Sequence, residues 1–416
     1  MPCNKENMGT LFRSMDGRSL IFDVAIIGGG TAGLFSASLL SEKKLKVLII
    51  DHNNILGKKF SISGSGKCNI THRGKIQDLL QNYYEGVNFL KRSIYKFSND
   101  DLLSFFSREG VSFYSDKNGK LFPENFSAKG LVNILIKKCE KNNVYINCDT
   151  EIKEIEKKND FKITTGTKIF LSKKIIMATG GQSYSFTGSD GSGYKLAEML
   201  GHRIVKPVPA LCPLTVKNYI FDDLSGISIN NIRISLKKNK KIYCEGDLLF
   251  THENLSGPAV LDFSRYADKN DEISISFTEK KYYNIENESK NGESSVTNAI
   301  AKKTDLPKRF INKLVKQYSK KKWKSLSIKE RKSVFDKISK MDFSVEGKSF
   351  SRAMVTRGGV SRNDIKSYSM ESKKVSGLYF SGEIIDIDGK TGGYNIQAAF
   401  STAFTAVNDI INKLQA

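Results

Sequence analysis

The clearest chemistry in this chain sits in six consecutive residues. Gly28-Gly29-Gly30-Thr31-Ala32-Gly33 is a GxGxxG loop. In that pattern Gly28 makes a tight turn, Gly30 lets the backbone approach a pyrophosphate, and Gly33 lets a helix pack closely on a strand. Thr31 and Ala32 lie in the loop that feeds the following helix, whose N-terminus offers positive potential to phosphate. Asp51 follows Gly28 by 23 residues, the spacing of an acid that accepts hydrogen bonds from adenosine ribose hydroxyls. Three further residues can move protons. Cys68 lies in a Gly-rich loop beside Lys67, whose charge can tune a thiol. His252 follows the apolar run Leu248-Leu249-Phe250, and Tyr394 follows the Gly392-Gly393 turn. Each also has a structural reading: a small residue packed under a ligand, a satisfied histidine, a ring lining the cofactor.

These residues need a frame. Ile21-Phe22-Asp23-Val24-Ala25-Ile26-Ile27 reads as a buried strand, Leu34 to Leu40 as a helix, and Lys46 to Ile50 as a second strand ending at Asp51. Lys173 to Met177 is another apolar run, closed by Ala178-Thr179-Gly180-Gly181. Gly377-Leu378-Tyr379-Phe380-Ser381-Gly382-Glu383 is the last, followed by Asp386 and a Gly-rich stretch from Gly389 to Gln397. A ligand held at Gly28 and again some 350 residues later is long, as FAD is. The acid after Gly382 can hold its ribitol, and the next helix can aim its N-terminal dipole at the flavin pyrimidine. No second GxGxxG occurs, so no dedicated NAD(P)H-binding domain is visible. The fold class expected is α/β, a Rossmann-like FAD-binding domain split in sequence.

Composition bounds the rest. A chain of 416 residues implies two or three domains, and 39% hydrophobic content excludes wholesale disorder. No run of eighteen apolar residues reads as a membrane span, and the first twenty residues do not read as a signal peptide. Cys3, Cys68, Cys139, Cys148, Cys212 and Cys244 show no CxxC spacing, which argues against a zinc ribbon or a disulfide scaffold and for a reduced cytoplasm, with no metal expected. Net charge is +22, and from Ala301 to Lys340 fifteen Lys or Arg face three acids, a net of +12. Compositional drift would not concentrate charge so strongly. Leu306, Phe310, Leu314 and Tyr318 form an apolar stripe predicting a helix, and Ser327 with Glu330 predicts a capping box opening a second. Around the single Trp323 stand Lys313, Lys316, Lys320, Lys321, Lys322 and Lys324, a cluster suited to RNA phosphates with the ring free to stack on a base. The plainer reading is a solvated helical face over a buried Trp.

With these residues in view, the chain resembles the YhiN-type flavoproteins, the BaiN/RdsA family of NAD(P)/FAD-dependent oxidoreductases. The likeness runs from about Phe22 to Ala406 and rests on Gly57-Lys58-Lys59 with Ser63-Gly64-Ser65-Gly66-Lys67-Cys68-Asn69, on Ala178 to Tyr184, and on Leu255-Ser256-Gly257-Pro258. It continues through Thr356-Arg357-Gly358-Gly359 and closes at Gly382-Glu383, Asp386 and Thr391-Gly392-Gly393-Tyr394-Asn395-Ile396-Gln397. Asp51 stands where Glu is common. The resemblance implies that Lys58, Lys59, Ser63, Gly64, Gly66, Cys68, Asn69, Thr179, Gly180, Gly181, Gly382, Glu383, Asp386, Gly392, Gly393, Tyr394, Asn395 and Ile396 join the GxGxxG loop in holding FAD. It also implies an FAD domain over 21–204 and 343–416, preceded by a 1–20 extension. The insert at 205–342 would combine a β-barrel part, 205–277, with a basic helical part, 296–341. The stretch 284–298 reads as a loop.

The family's activities include reduction of uridine to dihydrouridine in large-subunit ribosomal RNA, reduction of steroid enones and oxidation of an amine. The basic insert favours ribosomal RNA, because a small steroid or amine has no use for such charge. The expectation is hydride delivery from FAD reduced by NAD(P)H to uracil C6, with Cys68, His252 or Tyr394 protonating C5. The rivals are a small-molecule flavin enzyme and a non-catalytic, flavin-bearing ribosome-assembly factor.

Overall fold

The computed structural model describes residues 20–278 and 295–415. The proposed N-terminal extension therefore lies, Leu20 apart, outside the described residues, as does most of the 284–298 stretch. Two units emerge: one runs to Val208 and resumes at Val355, and the other is Pro209–Met354.

Along the first unit come β1 (Ile21–Ile27), α1 (Thr31–Ser41), β2 (Val47–Ile50), α2 (Lys58–Ser61) and β3 (Thr71–His72). Three helices follow, α3 (Ile76–Leu80), α4 (Val87–Lys96) and α5 (Asn99–Ser107), then β4 (Phe113–Ser115), β5 (Lys120–Pro123) and α6 (Ala128–Lys141). Next are β6 (Tyr145–Asn147), β7 (Ile152–Lys157), β8 (Phe161–Thr165), β9 (Ile169–Met177), α7 (Ser192–Met199) and β10 (Ile204–Ala210). The second unit holds β11 (Thr215–Val216), β12 (Ser228–Leu236), β13 (Tyr243–Phe250), β14 (Leu255–Ser256), α8 (Pro258–Phe263) and β15 (Glu272–Ser276). It continues with α9 (Val296–Thr304), α10 (Lys308–Leu314), α11 (Ile328–Ser339) and β16 (Lys340–Gly347). The chain then returns to the first unit as β17 (Val355–Val360), β18 (Leu378–Phe380) and α12 (Tyr394–Gln415).

The first unit is organised by a seven-stranded sheet in the order β6-β2-β1-β9-β8-β7, with β18 also on β9. The strands β6, β2, β1, β9 and β18 are parallel, as expected of near-continuous apolar runs buried on both faces. Ile27 is in register with Met177, and Met177 with Phe380, so three strands end level. Aromatic side chains lock α1 beneath this edge. The Phe35 ring meets Phe97, Phe105 and Phe400 at 5.2, 5.0 and 4.9 Å.

The second unit is a sheet in the order β11-β16-β15-β12-β13-β14. Leu214 and Leu255 exchange hydrogen bonds of 2.9 and 3.0 Å, which ties its two edges into a nearly closed barrel. The insert thus extends beyond 342, because β16 pairs with β15 and completes the barrel. Within β12 the register slips between Ile229 and Ile232, where Asn231 takes a positive φ of 54°. That bulge shifts the apolar alternation by one residue. Ser327 and Glu330 do form a reciprocal capping box, and α11 buries Val334, Phe335 and Ile338. The stripe from Leu306 to Tyr318 is core but not one helix. Pro307 stands at the N-cap, leaving Leu306 outside, and α10 ends at Leu314. The predicted loop at 284–298 also ends early, since Ser295 caps α9 and Val296 begins it.

One charged group is buried where α12 meets the sheet. Glu371, with a side chain 3% exposed, bonds Lys366 at 2.7 Å, Lys413 at 2.9 Å and the Gly377 amide at 3.0 Å. Burial by itself raises a carboxyl pKa, yet the two ammonium groups and the amide outweigh it and hold this one at about 2. Its contribution to stability is therefore complete above about pH 4.5 and is lost as pH falls toward 2. Glu371→Gln should cost about 2 kcal/mol in urea unfolding at pH 7. The difference from the unaltered protein should shrink when the titration is repeated at pH 3.

Candidate functional site

The level ends of β1, β9 and β18 open onto a glycine-lined cradle. Gly28 has φ +98°, and a Cβ there would lie 2.6 Å from the Ala178 carbonyl oxygen. A Cβ on Gly33 would sit 1.9 Å from the Gly28 oxygen, which is the close helix-on-strand packing expected of the third glycine. A Cβ on Gly30 would meet nothing within 4 Å. That open space lies before the first turn of α1, where no side chain caps Gly30 and no acid stands. Helix amides unclaimed by a cap suit an anion such as pyrophosphate. Asp51 ends β2 as predicted. Its Oδ2 accepts the Gly29 amide at 2.6 Å, and its Oδ1 accepts the backbone and side-chain N–H groups of Asn53 at 2.7 and 3.1 Å. One lone-pair position remains for a ribose hydroxyl.

The loop after β2 is tied to this cradle by the Gly57 amide, which donates to the Gly29 oxygen at 2.8 Å. Lys58 and Lys59 open α2, and the segment Ser63–Gly66 is a tight turn with Gly64 and Ser65 at φ 56° and 55°. Cys68 is also left-handed, at φ 57°, and its amide donates to the Ser63 oxygen at 3.0 Å. Its thiol is fully buried, and burial pushes its pKa up to about 12. Lys67 next to it is exposed, so the neighbouring charge does not activate this thiol as the sequence suggested. Asn69 follows, its amide 3.1 Å from where a Cβ on Gly64 would stand.

The C-terminal turn supplies the third wall. Glu383 Oε1 accepts the Ser183 hydroxyl at 2.7 Å and the Thr356 amide at 2.8 Å, and Oε2 accepts Lys59 Nζ at 2.7 Å. Lys59 also bonds Ser183 Oγ at 2.5 Å. Three donors hold the carboxylate and leave one acceptor position. Gly181 must lack a side chain here, because its Cβ would lie 2.3 Å from Thr356 Oγ1. Gly382 packs on Ala32, joining the two ends of the chain's motif set. Thr179 Oγ1, Ser189 Oγ, Tyr194 OH and Ser381 Oγ are buried with no hydrogen-bond partner among the described residues. Thr179 abuts Gly193, and Ser189 abuts Gly180. Unsatisfied buried hydroxyls of this kind fit a ligand rich in hydroxyl and phosphate groups.

Other expected ligands have different duties. Asp386 pairs with Arg362 through Oδ2 at 3.3 Å. Asn395 Oδ1 accepts the Gly389 amide and Nδ2 donates back to the Gly389 oxygen, so it pins the turn. Gly393 sits against Thr71, Ile396 packs on the core, and the buried Tyr394 ring stacks on His72 at 5.3 Å with Gly392 against its edge. His252 belongs to the second unit, exposed on the turn before β14. Trp323 is corrected outright. It is 1% exposed within the second unit's core, so it offers no face to a base. Lys316, Lys320, Lys321, Lys322 and Lys324 are exposed, while Lys313 is half-buried on Asp223 at 2.7 Å. Sequence reasoning missed Ser183 and Thr356 as partners of Glu383. Both lie inside quoted motifs, but nothing local marks a hydroxyl that bonds across the fold.

Comparison with known proteins agrees with this geometry. The profile of the HI0933-like protein Rossmann domain matches residues 22–409. The chain belongs to the HI0933-like family. Within the family it is 31% identical over 400 residues to a protein of Escherichia coli named ribosomal RNA dihydrouridine synthase, covering 94% of this chain and 98% of that one. It is 32% identical to a Haemophilus influenzae protein of the same name, covering 92% and 97%. It is 25% identical to a 3-dehydro-bile acid delta(4,6)-reductase of Clostridium scindens, covering 92% and 97%. The first unit is thus the Rossmann-like FAD-binding domain of an HI0933-like oxidoreductase.

Two outcomes follow for this domain. Gly30→Ala should leave the melting temperature unchanged, since no protein atom opposes the new methyl, yet the purified variant should lose most of its flavin absorbance. Cys68, buried and protonated, should escape iodoacetamide in native protein up to about pH 9, as read by peptide mass spectrometry, and react once urea unfolds the chain.

Proposed function

We propose that this protein reduces a uridine of large-subunit ribosomal RNA to dihydrouridine in the cytoplasm, drawing electrons from NAD(P)H. The observation that carries the reading is identity of 31% and 32%, over nearly the full length of both chains, to two proteins named for that reaction. Reduction of the uracil C5=C6 bond adds a hydride equivalent at C6 and a proton at C5. Bound FAD supplies hydride chemistry of this kind. The residues of the chain do the rest. Gly30 and the first turn of α1 would receive the pyrophosphate, Asp51 the adenosine ribose, and Glu383 the ribitol. The orphan hydroxyls of Thr179 and Ser189 would complete the shell. For the proton, the first unit offers Tyr394, ordered between His72 and Tyr83, and the protonated Cys68. Exposed lysines at 316, 320, 321, 322 and 324 give the second unit a cationic surface for phosphates, without the stacking ring first expected.

The test is nucleoside mass spectrometry of ribosomal RNA. Dihydrouridine should vanish on gene deletion and return when purified, flavin-loaded protein and NADPH or NADH are added to the deficient RNA. Dihydrouridine unchanged by the deletion would refute the reading.

A further inference from the structure

The first unit carries a second cationic face, apart from the cradle. Asn88, Lys91, Arg92, Tyr95 and Lys96 are the exposed residues of α4 that recur at i, i+3, i+4, i+7 and i+8, so all five share one side of the helix. No acid interrupts them, and no carboxylate pairs with Lys91, Arg92 or Lys96 among the described residues. Beside α4 opens a groove of about 800 Å³ whose lining includes Asn88, Arg203, Tyr368 and Lys373. Helix face and groove are continuous. The Arg92 guanidinium lies 6.0 Å from the centre of the Tyr368 ring, and Lys96 Nζ donates to the Tyr368 backbone carbonyl oxygen at 2.8 Å.

Charge within the groove is only partly neutralised. Arg362 and Lys366 are held by Asp386 and Glu371, and Glu85 at the rim approaches Arg357 at 4.0 Å. The Lys373 ammonium, in contrast, bonds the Asn363 carbonyl at 2.9 Å, and neither it nor the Arg203 guanidinium has a carboxylate partner among the described residues. Two rings stand among these cations: Tyr95 and Tyr368 are 48% and 49% exposed. Cations along a groove with open aromatic faces are the physical requirements of single-stranded nucleic acid, which needs its phosphates neutralised and its bases stacked. The few phosphates of a nicotinamide dinucleotide would not account for cations along the whole of α4. The groove also reaches Asp386, three residues past Glu383 in the cradle wall.

We propose that the α4 face and its groove bind the single-stranded RNA flanking the nucleotide to be reduced, gripping the strand so that one base can enter the flavin cradle. This rests on reading the substrate as RNA. The test uses full-length, FAD-loaded protein and fluorescence anisotropy with a labelled single-stranded oligouridylate across a salt series. The variants are Arg92→Glu with Lys96→Glu, Arg203→Glu with Lys373→Glu, and Tyr95→Ala with Tyr368→Ala. All lie on the surface, so flavin content and melting temperature should hold. Each charge pair should weaken binding about tenfold or more at physiological salt, and flatten the log–log salt slope by about 1.4, the share of two phosphates. The tyrosine pair should weaken binding and leave the slope alone. Unchanged affinity and slope in every variant would overturn the inference, as would a raised NADPH requirement for flavin reduction with RNA affinity intact. Binding and reduction separate the two readings. If the variants lose oligouridylate but even the unaltered protein forms no dihydrouridine, the face binds RNA and the reduction reading falls. If dihydrouridine forms normally while the variants bind as tightly as before, the reduction reading stands and this one falls.

Discussion

Parallel pairing of β1, β9 and β18 is the constraint on which the site depends. Ile27, Met177 and Phe380 lie on one register line. Each strand therefore delivers its next residues, Gly28, Ala178-Thr179 and Ser381-Gly382, to the same edge of the sheet. The carboxyl ends of parallel strands are where open α/β sheets bind ligands, because the chain must turn there into helices or loops. Motifs 150 and 350 residues apart become neighbours through this backbone pairing. A one-residue slip in either pairing would turn every following side chain to the opposite face and dissolve the cradle.

Around this edge the chain handles its carboxylates in three ways. Asp51 and Glu383 each accept three donors and keep one acceptor position toward the cradle. Glu371 is buried on two lysines and serves the seating of α12, whose far end carries Tyr394. Asp386 pairs with Arg362 through Oδ2 beside the groove. Buried hydroxyls without partners, those of Thr179 and Ser189 among them, accompany the first set, as expected of a polar network that awaits a ligand.

Positive charge is organised differently in the two units. The second sets its lysines on turns and helices over an aromatic core that includes Trp323, Phe310 and Phe250. The first threads Lys91, Arg92 and Lys96 along one helical stripe, where fixed spacing turns separate charges into a track.

Local signals made the cradle legible in the sequence. Gly28, Gly30 and Gly33 are demanded by backbone geometry within a few residues, and Ser327 with Glu330 by the unpaired amides of a single helix start. Such requirements are written in neighbouring positions, so the sequence alone determined the FAD-type Rossmann frame, its strand ends and the α11 cap. Whether Trp323 faced solvent, whether Lys67 or burial governed the Cys68 thiol, and which hydroxyls held Glu383 were left to the tertiary structure. So were the break of the Leu306–Tyr318 stripe and the closing of the barrel by β16. Burial and long-range hydrogen bonds depend on what the rest of the chain packs against a residue, and that information is absent from its neighbours in sequence.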